Sequence, residues 1–175
     1  MNYMTIKKND IANGPGVRVS LFVSGCRRHC KGCFNASTWS FDAGHRFTQD
    51  TVKTILDALK MDYIEGLSIL GGEPLEYENI ETVAEICYQV KKAYPNKTIW
   101  LYTGYRFGQV KATDYLRFCY DGHAKQILDY VDVIVDGAFI ESKKDISLVF
   151  RGSTNQRIID VKKTLKTGQI AEVTL

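Results

Sequence analysis

The sequence predicts an α/β protein, a mostly parallel sheet with covering helices, and three observations carry that prediction. Short apolar runs of strand length alternate with segments of helical period, and Gly-rich turns close several of the runs. The chain is also long enough: 175 residues, 45% hydrophobic, with 23 basic and 20 acidic side chains, describe one soluble globular domain over residues 1–175. Such a domain buries about 70% of the surface its unfolded chain exposes, so it needs no disulfide framework. The same composition excludes disorder and collagen-like structure.

The elements follow in order. Val17, Val19, Leu21 and Val23 alternate with Arg18, Ser20 and Phe22 behind the turn-rich Asn13-Gly14-Pro15-Gly16, so a strand runs into Ser24-Gly25. From Gly25 to Phe47 no period is sustained, which gives a long loop of the kind that usually carries function. Val52, Ile55, Leu56 and Leu59 fall at i, i+3, i+4 and i+7 behind Thr48 or Asp50 as cap, an amphipathic helix. The apolar run Leu67 to Leu70 ends in Gly71-Gly72-Glu73-Pro74, and a second helix carries Ile80, Val83, Ala84, Cys87 and Val90. Ile99 to Tyr102 and Asp132 to Asp136 read as further strands, on either side of a helical segment from Lys111 to Tyr130 interrupted at Asp121-Gly122. Ile146 to Phe150 and Arg157 to Val161 are candidate strands, and Thr164 to Thr174 is a candidate hairpin around Thr167-Gly168. Sheets of β-α-β units put their chemistry at the carboxyl ends of the strands, where the 25–47 loop and the Gly71–Pro74 turn both lie.

The net charge of +3 is spread along the chain with no Lys/Arg block, so no nucleic-acid surface is expected. MNYMTIKKND contains no apolar run for a signal peptide, and no longer apolar stretch follows, so no membrane span and a cytoplasmic location are expected. In a reducing compartment, clustered cysteines are metal ligands or redox groups before they are disulfides.

Cys26-x3-Cys30-x2-Cys33 places three thiolates within eight residues. A closed zinc site needs four ligands, and His29, between two of the cysteines, would strain such a set. Three cysteines on a 4Fe-4S cubane leave one iron open to a small molecule. Ordinary loop cysteines are the bland alternative, and Cys87 and Cys119, among apolar residues at helical spacing, are read as small buried hydrophobes. His29, His45 and His123 form no nucleophile–base arrangement and read as exposed loop residues. Thr103 and Asp136 at strand ends and Arg151 beyond them are weaker candidates, each with a structural alternative: a strand terminus or a solvated charge.

With Phe34 just after it, the cysteine spacing resembles the motif of the radical S-adenosylmethionine superfamily, and Gly71-Gly72-Glu73-Pro74 resembles that superfamily's second motif. Asn13 to Arg18, Phe22 to Cys26, Gly32 to Asn35, Ser37-Thr38-Trp39, Val135-Asp136-Gly137 and Arg151 to Arg157 are similar to the activating proteins of anaerobic ribonucleoside-triphosphate reductases, within the glycyl-radical-enzyme activating family. Two departures are Phe34, where many members carry tyrosine, and the segment between Gly104 and Asp132, which matches no motif.

The resemblance implies an incomplete (βα) TIM-like barrel of the radical S-adenosylmethionine type. It implies Cys26, Cys30 and Cys33 as ligands of one 4Fe-4S cluster, Gly32, Cys33 and Phe34 beside the adenine of S-adenosylmethionine, and Gly71, Gly72 and Glu73 at the methionine amino group. It implies reductive cleavage of S-adenosylmethionine to a 5'-deoxyadenosyl radical that abstracts hydrogen from a glycine of the reductase's large subunit. The electron comes from a low-potential donor such as flavodoxin, and no side-chain general base or nucleophile is expected. Bulk at Gly72 is expected to block the ligand without removing the cluster. The rivals are a 7-carboxy-7-deazaguanine synthase-like enzyme, a pyruvate formate-lyase activase and a non-catalytic iron-sulfur electron carrier. The Arg151–Arg157 run argues against the first, and the three-ligand set against the last.

Overall fold

In the computed structural model, which describes residues 1–108 and 122–174, seven strands form one sheet. They are β1 (Asn2–Asp10), β2 (Val17–Val23), β3 (His45–Arg46), β4 (Ile64–Gly71), β5 (Thr98–Thr103), β6 (Val133–Asp136) and β7 (Arg157–Asp160), in the spatial order β3-β1-β2-β4-β5-β6-β7. The central strands β2, β4, β5 and β6 pair in parallel, and β1, β3 and β7 add antiparallel edges. The helices are α1 (Gln49–Leu59), α2 (Tyr77–Ala93), α3 (Gly122–Tyr130) and α4 (Val161–Thr167). Thr48 caps α1, its N–H donating to Thr51 Oγ1 at 3.1 Å. None of the described helices is long and apolar enough to cross a membrane.

The alternation along β2 sorts two faces. Val19, Leu21 and Val23 join Ile69, Leu101 and Ile134 against Ile55 and Leu59 of α1, Val83 and Cys87 of α2 and Ile127 of α3. Burying each of these aliphatic side chains contributes roughly 1.5–3 kcal/mol, which makes this the face that holds the fold together. The opposite face carries Trp100, Val135 and Ile158 in a smaller cluster with Tyr102 and Phe150. Arg18 lies fully buried on it, donating from Nε to Ser68 Oγ (2.8 Å), from Nη1 to Thr98 Oγ1 (2.9 Å) and from Nη2 to the Leu67 and Thr98 carbonyls (both 3.0 Å). Burial pushes its pKa down to about 10, so it stays charged at neutral pH.

Several expectations are corrected. Strands β1 and β3 were not foreseen, because β1 is largely solvent-facing, with Lys7 and Lys8 exposed, and carries no apolar alternation. Ile146–Phe150 is not a strand: the segment is turn and bend throughout, and the isolated bridge of Lys144 with Ser153 lies on either side of it. No hairpin forms over 164–174, because α4 runs to Thr167 and ends at Gly168 with φ 68°. Of the helix expected over 111–130, residues 122–130 are α3; the remainder, with Cys119, lies outside the described residues.

Asp132 ties three elements together. Its carboxylate accepts from Lys91 Nζ (2.7 Å) on α2, the Ile99 N–H (2.8 Å) on β5 and Lys162 Nζ (2.7 Å) on α4. Burial raises its pKa, but the bonds from Lys162, Lys91 and Ile99 outweigh that and hold it below the ordinary value. The resulting stabilisation is present above the unfolded pKa of about 3.9 and is lost as pH falls through the lower folded pKa. We therefore expect Asp132→Asn to lower the unfolding free energy at pH 7 by on the order of 1–3 kcal/mol in urea titrations. The gap to the wild type should shrink as the titration is repeated below pH ~3.9.

Candidate metal centre

The site is built where β2 runs past its last residue. The Gly72 N–H donates to the Val23 carbonyl and the Glu73 N–H to the Gly25 carbonyl, both at 2.8 Å, so the turn after β4 grips the chain leading into the cysteine loop. From the other side, the Gly25 N–H donates to Thr38 O (2.8 Å) and the Cys26 N–H to Trp39 O (3.0 Å). Cys26 is thereby fixed by main chain on both flanks. Gly71 has φ +111°, and a Cβ there would sit 2.7 Å from Val23 N; a Cβ on Gly72 would overlap the Gly25 carbonyl. The pair of glycines is required first by this close approach of two strand ends.

Two arginines between the first two cysteines hold the loop in different directions. Arg27 donates from its main chain to Glu76 Oε1 (3.0 Å) and from Nη1 to Glu76 Oε2 (2.9 Å), and also pairs with Glu78 at the start of α2. Its guanidinium lies 4.3 Å over the Phe41 ring. Arg28 lies 4.1 Å over the Tyr105 ring, with Nε 3.8 Å from Glu73 Oε2. His29 adopts φ 43° and stacks on Trp39 at 4.5 Å, and the Cys33 N–H closes the loop on the Cys30 carbonyl at 3.1 Å. Neither arginine belongs to a sequence motif; the signal for them is Arg27-Arg28 set against three glutamates within Glu73–Glu78.

Glu73 is buried, and its oxygens accept from Thr103 Oγ1 (2.7 Å), the Leu75 N–H (3.1 Å) and the Gly104 N–H (2.7 Å). Burial raises its pKa, while these donors and Arg28 work in the opposite sense. The carboxylate therefore latches the end of β4 to the end of β5. Thr103, a weak candidate from sequence, is the other half of that latch. Asn79, buried on α2, adds a second clasp by donating to the Ser24 (2.9 Å) and Glu73 (3.0 Å) carbonyls.

Cys26, Cys30 and Cys33 line one pocket with Gly71, Gly72 and Glu73, bounded on the far side by Tyr102 to Gly104, Gly137 to Phe139 and Gln156. The Cys26 thiol is held above the ordinary cysteine pKa by burial and by Glu73 and Glu76, and lowered by main-chain hydrogen bonds from Arg28 and His29. Among the described residues, no three His, Cys, Asp or Glu side chains converge on a point for a single metal ion. A donor set of three thiols that line one pocket without converging on a single-ion site fits a cluster wider than one ion, and amide donors to a cysteine sulfur are what such clusters receive.

The remaining candidates separate cleanly. Gly32 packs beside Glu141, and Phe34 stands at the pocket mouth, 82% exposed. Asp136 is fully buried against Arg157 and accepts the Phe107 N–H at 2.8 Å, so its role is structural. Arg151 is half-buried and donates to the Gln156 carbonyl at 2.8 Å. The run it begins clasps the end of β6, Gln156 Nε2 donating to Gly137 O (3.0 Å) and Asn155 Nδ2 to Ala138 O (2.9 Å). His45 and His123 are exposed and away from the pocket, and Cys87 is a core side chain whose pKa burial pushes up to about 12.

A parallel sheet that presents three thiols and a Gly-Gly turn at the carboxyl ends of its strands defines a cysteine-ligated cluster protein. Residues 12–159 match the family described as 4Fe-4S single cluster domain. Proteins called anaerobic ribonucleoside-triphosphate reductase-activating protein are similar over almost their whole length. That of Vibrio cholerae is 43% identical over 160 residues, covering 90% of this chain and 97% of its own. That of Enterobacteria phage T4 is 42% identical over 158 residues (90% and 93%), and that of Escherichia coli K12 38% over 158 residues (89% and 96%). The chain belongs to the family of anaerobic ribonucleoside-triphosphate reductase-activating proteins.

The geometry revises what bulk at Gly72 does. Gly72→Ala should displace the Val23–Cys26 chain, lowering both Tm and iron uptake on anaerobic reconstitution, rather than blocking a ligand with the cluster intact. In Glu73→Gln an amide NH2 replaces one acceptor opposite hydrogen-bond donors, and urea titration should show a loss of about 1–3 kcal/mol.

Proposed function

We propose that this protein activates an anaerobic ribonucleoside-triphosphate reductase by abstracting a hydrogen atom from a glycine of the reductase's large subunit. The observation that supports this reading is that three thiols and the Gly71–Glu73 turn line the same pocket. When bound, a 4Fe-4S cluster with S-adenosylmethionine supplies reductive carbon–sulfur cleavage and the 5'-deoxyadenosyl radical that takes the glycine hydrogen.

The protein's own residues bind, orient and exclude water. Cys26, Cys30 and Cys33 would hold the cluster by three sulfurs, and a cluster so held would supply an open iron to the ligand. Gly71 and Gly72 keep the strand end bare, so that main-chain carbonyls reach an ammonium group. Glu73, whose oxygens already take donors from Thr103, Leu75 and Gly104, contributes by holding that strand end in place. Cys33 and Phe34 line the pocket with Phe139 and would border the adenine, with Gly32 next to them in the chain. No side chain is assigned as a general base or nucleophile.

The architecture this reading implies is an incomplete (βα) barrel of the radical S-adenosylmethionine type, one domain over residues 1–175. Its support is the run of four parallel strands whose Trp100–Tyr102 face carries none of the helices packed on the other. The protein works in the cytoplasm and takes its electron from a low-potential donor such as flavodoxin.

Single Cys→Ala changes at 26, 30 and 33 should each abolish iron and sulfide binding on anaerobic reconstitution, and Cys87→Ala should leave both unchanged. One zinc and no iron per chain would overturn the cluster assignment. The activity test mixes reduced holoprotein, S-adenosylmethionine and purified reductase without oxygen and records the paramagnetic resonance spectrum. A glycyl radical doublet on the reductase is expected. Deoxyadenosine formed without it would contradict the reading.

A further inference from the structure

A single cation stands in the three-cysteine pocket. Among the described residues that line it, Arg28 is the one basic side chain, beside Cys26, Cys30 and Cys33, and Glu73 is the one acidic side chain. The cysteine loop has two more cations close in sequence, and neither lines the pocket. Arg27, 54% exposed, pairs with Glu76 and Glu78, and Lys31, 91% exposed, pairs with Glu141 at 3.1 Å.

Shape holds Arg28 in place. Its guanidinium carbon lies 4.1 Å from the centre of the Tyr105 ring, and its stem passes over Gly104, where a Cβ would come within 2.3 Å of Arg28 Cδ. Only 19% of the side chain is exposed. Its Nε is 3.8 Å from Glu73 Oε2, beyond hydrogen-bond length, and the Glu73 carboxylate accepts from Thr103, Leu75 and Gly104. The hydrogen bonds of Glu73 are thus met without the arginine, whose position is set by the ring and the glycine.

Reduction brings one electron from the low-potential donor to a 4Fe-4S cluster, taking it from the 2+ to the 1+ level with no bond made or broken. The potential of that step follows the net charge and the solvent exposure around the cluster. A fixed cation largely out of water favours the more negative, reduced form, and does so more strongly than the same charge in water. A guanidinium suits the place, being a permanent and weakly hydrated cation that stacks on an aromatic face.

We propose that Arg28 sets the reduction potential of the cluster, its buried charge bringing the reduced form within reach of a low-potential donor, with Tyr105 and Gly104 as its seat. This rests on the cluster assignment above and concerns the arrival of the electron, not the delivery of the radical. Glu73 does not reverse the sign. Replacing Arg28 by a neutral residue removes the cation and leaves the carboxylate beside the cluster, and both changes push the potential down.

The test is a potentiometric titration of anaerobically reconstituted protein without S-adenosylmethionine or reductase, read from the paramagnetic resonance signal of the reduced cluster, with iron and sulfide measured on every sample. In Arg28→Gln the ratio of reduced to oxidised cluster at a fixed potential should fall about tenfold or more, a midpoint lower by about 59 mV or more for one electron. Arg28→Lys, which keeps the charge, should recover most of that loss. Lys31→Gln removes a charge equally near in sequence but 91% exposed, and should change the ratio by less than about twofold. A wild-type midpoint in Arg28→Gln, a full shift in Arg28→Lys, or an equal shift in Lys31→Gln would each overturn the proposal. If Arg28→Gln takes up less iron than the wild type, Arg28→Met, which keeps a stem over Tyr105 and drops the charge, carries the same expectation. Loss of the cluster in both would make the arginine a folding element and overturn the proposal as well. Wild-type protein that takes up no iron and sulfide would instead overturn the cluster assignment, so the two failures are distinguishable.

Discussion

Two main-chain hydrogen bonds, from Gly72 N–H to the Val23 carbonyl and from Glu73 N–H to the Gly25 carbonyl, hold the cysteine loop against the turn that ends β4. The rest of the site depends on them. They continue the parallel ladder between β2 and β4 beyond its last paired residues, Val23 and Gly71, so that Cys26 is placed by sheet geometry rather than by a flexible loop. They also explain why the turn must lack side chains at both glycines, since a Cβ at either would strike the main chain of residues 22–25. The demand on these two residues that the contacts display is the fold's own.

Charge reinforces that frame. Arg27 and Arg28 leave the loop toward Glu76 and Glu73, both buried carboxylates on the segment after β4. Through Thr103 and Gly104, Glu73 passes the constraint on to β5, and Gln156 with Asn155 closes the circuit by clasping the end of β6. The carboxyl ends of four parallel strands are thus tied into one rigid rim around a pocket walled by three thiols. The opposite end of the same sheet face is plugged by Arg18, which spends its donors on Ser68, Thr98 and Leu67.

Much of this was legible in the residues because the signals were local. The alternation of Val17–Val23, the helical period of Val52–Leu59 and the spacing of the three cysteines each identify their element without outside help, and Cys87 reads as core from its apolar neighbours. What was not legible depends on partners distant in sequence. Strand β1 pairs a charged, largely exposed stretch with β2, and nothing in NYMTIKKND announces an interior strand. Ile146–Phe150 has the composition of a strand but no ladder partner, so its side chains go to the surface instead. Asp136 reads from sequence as a strand-end residue and Arg151 as a solvated charge; their partners, Arg157 and the Gln156 carbonyl, are not placed by sequence position alone.

The central claim is that three cysteines leave one iron of the cluster for the ligand, and Mössbauer spectroscopy of iron-57-reconstituted protein tests it most directly. On adding S-adenosylmethionine, one iron site of the four should change its isomer shift and quadrupole splitting while the other three keep theirs. A spectrum in which all four irons are unaffected, or in which the iron is not in a 4Fe-4S cluster, would contradict the account.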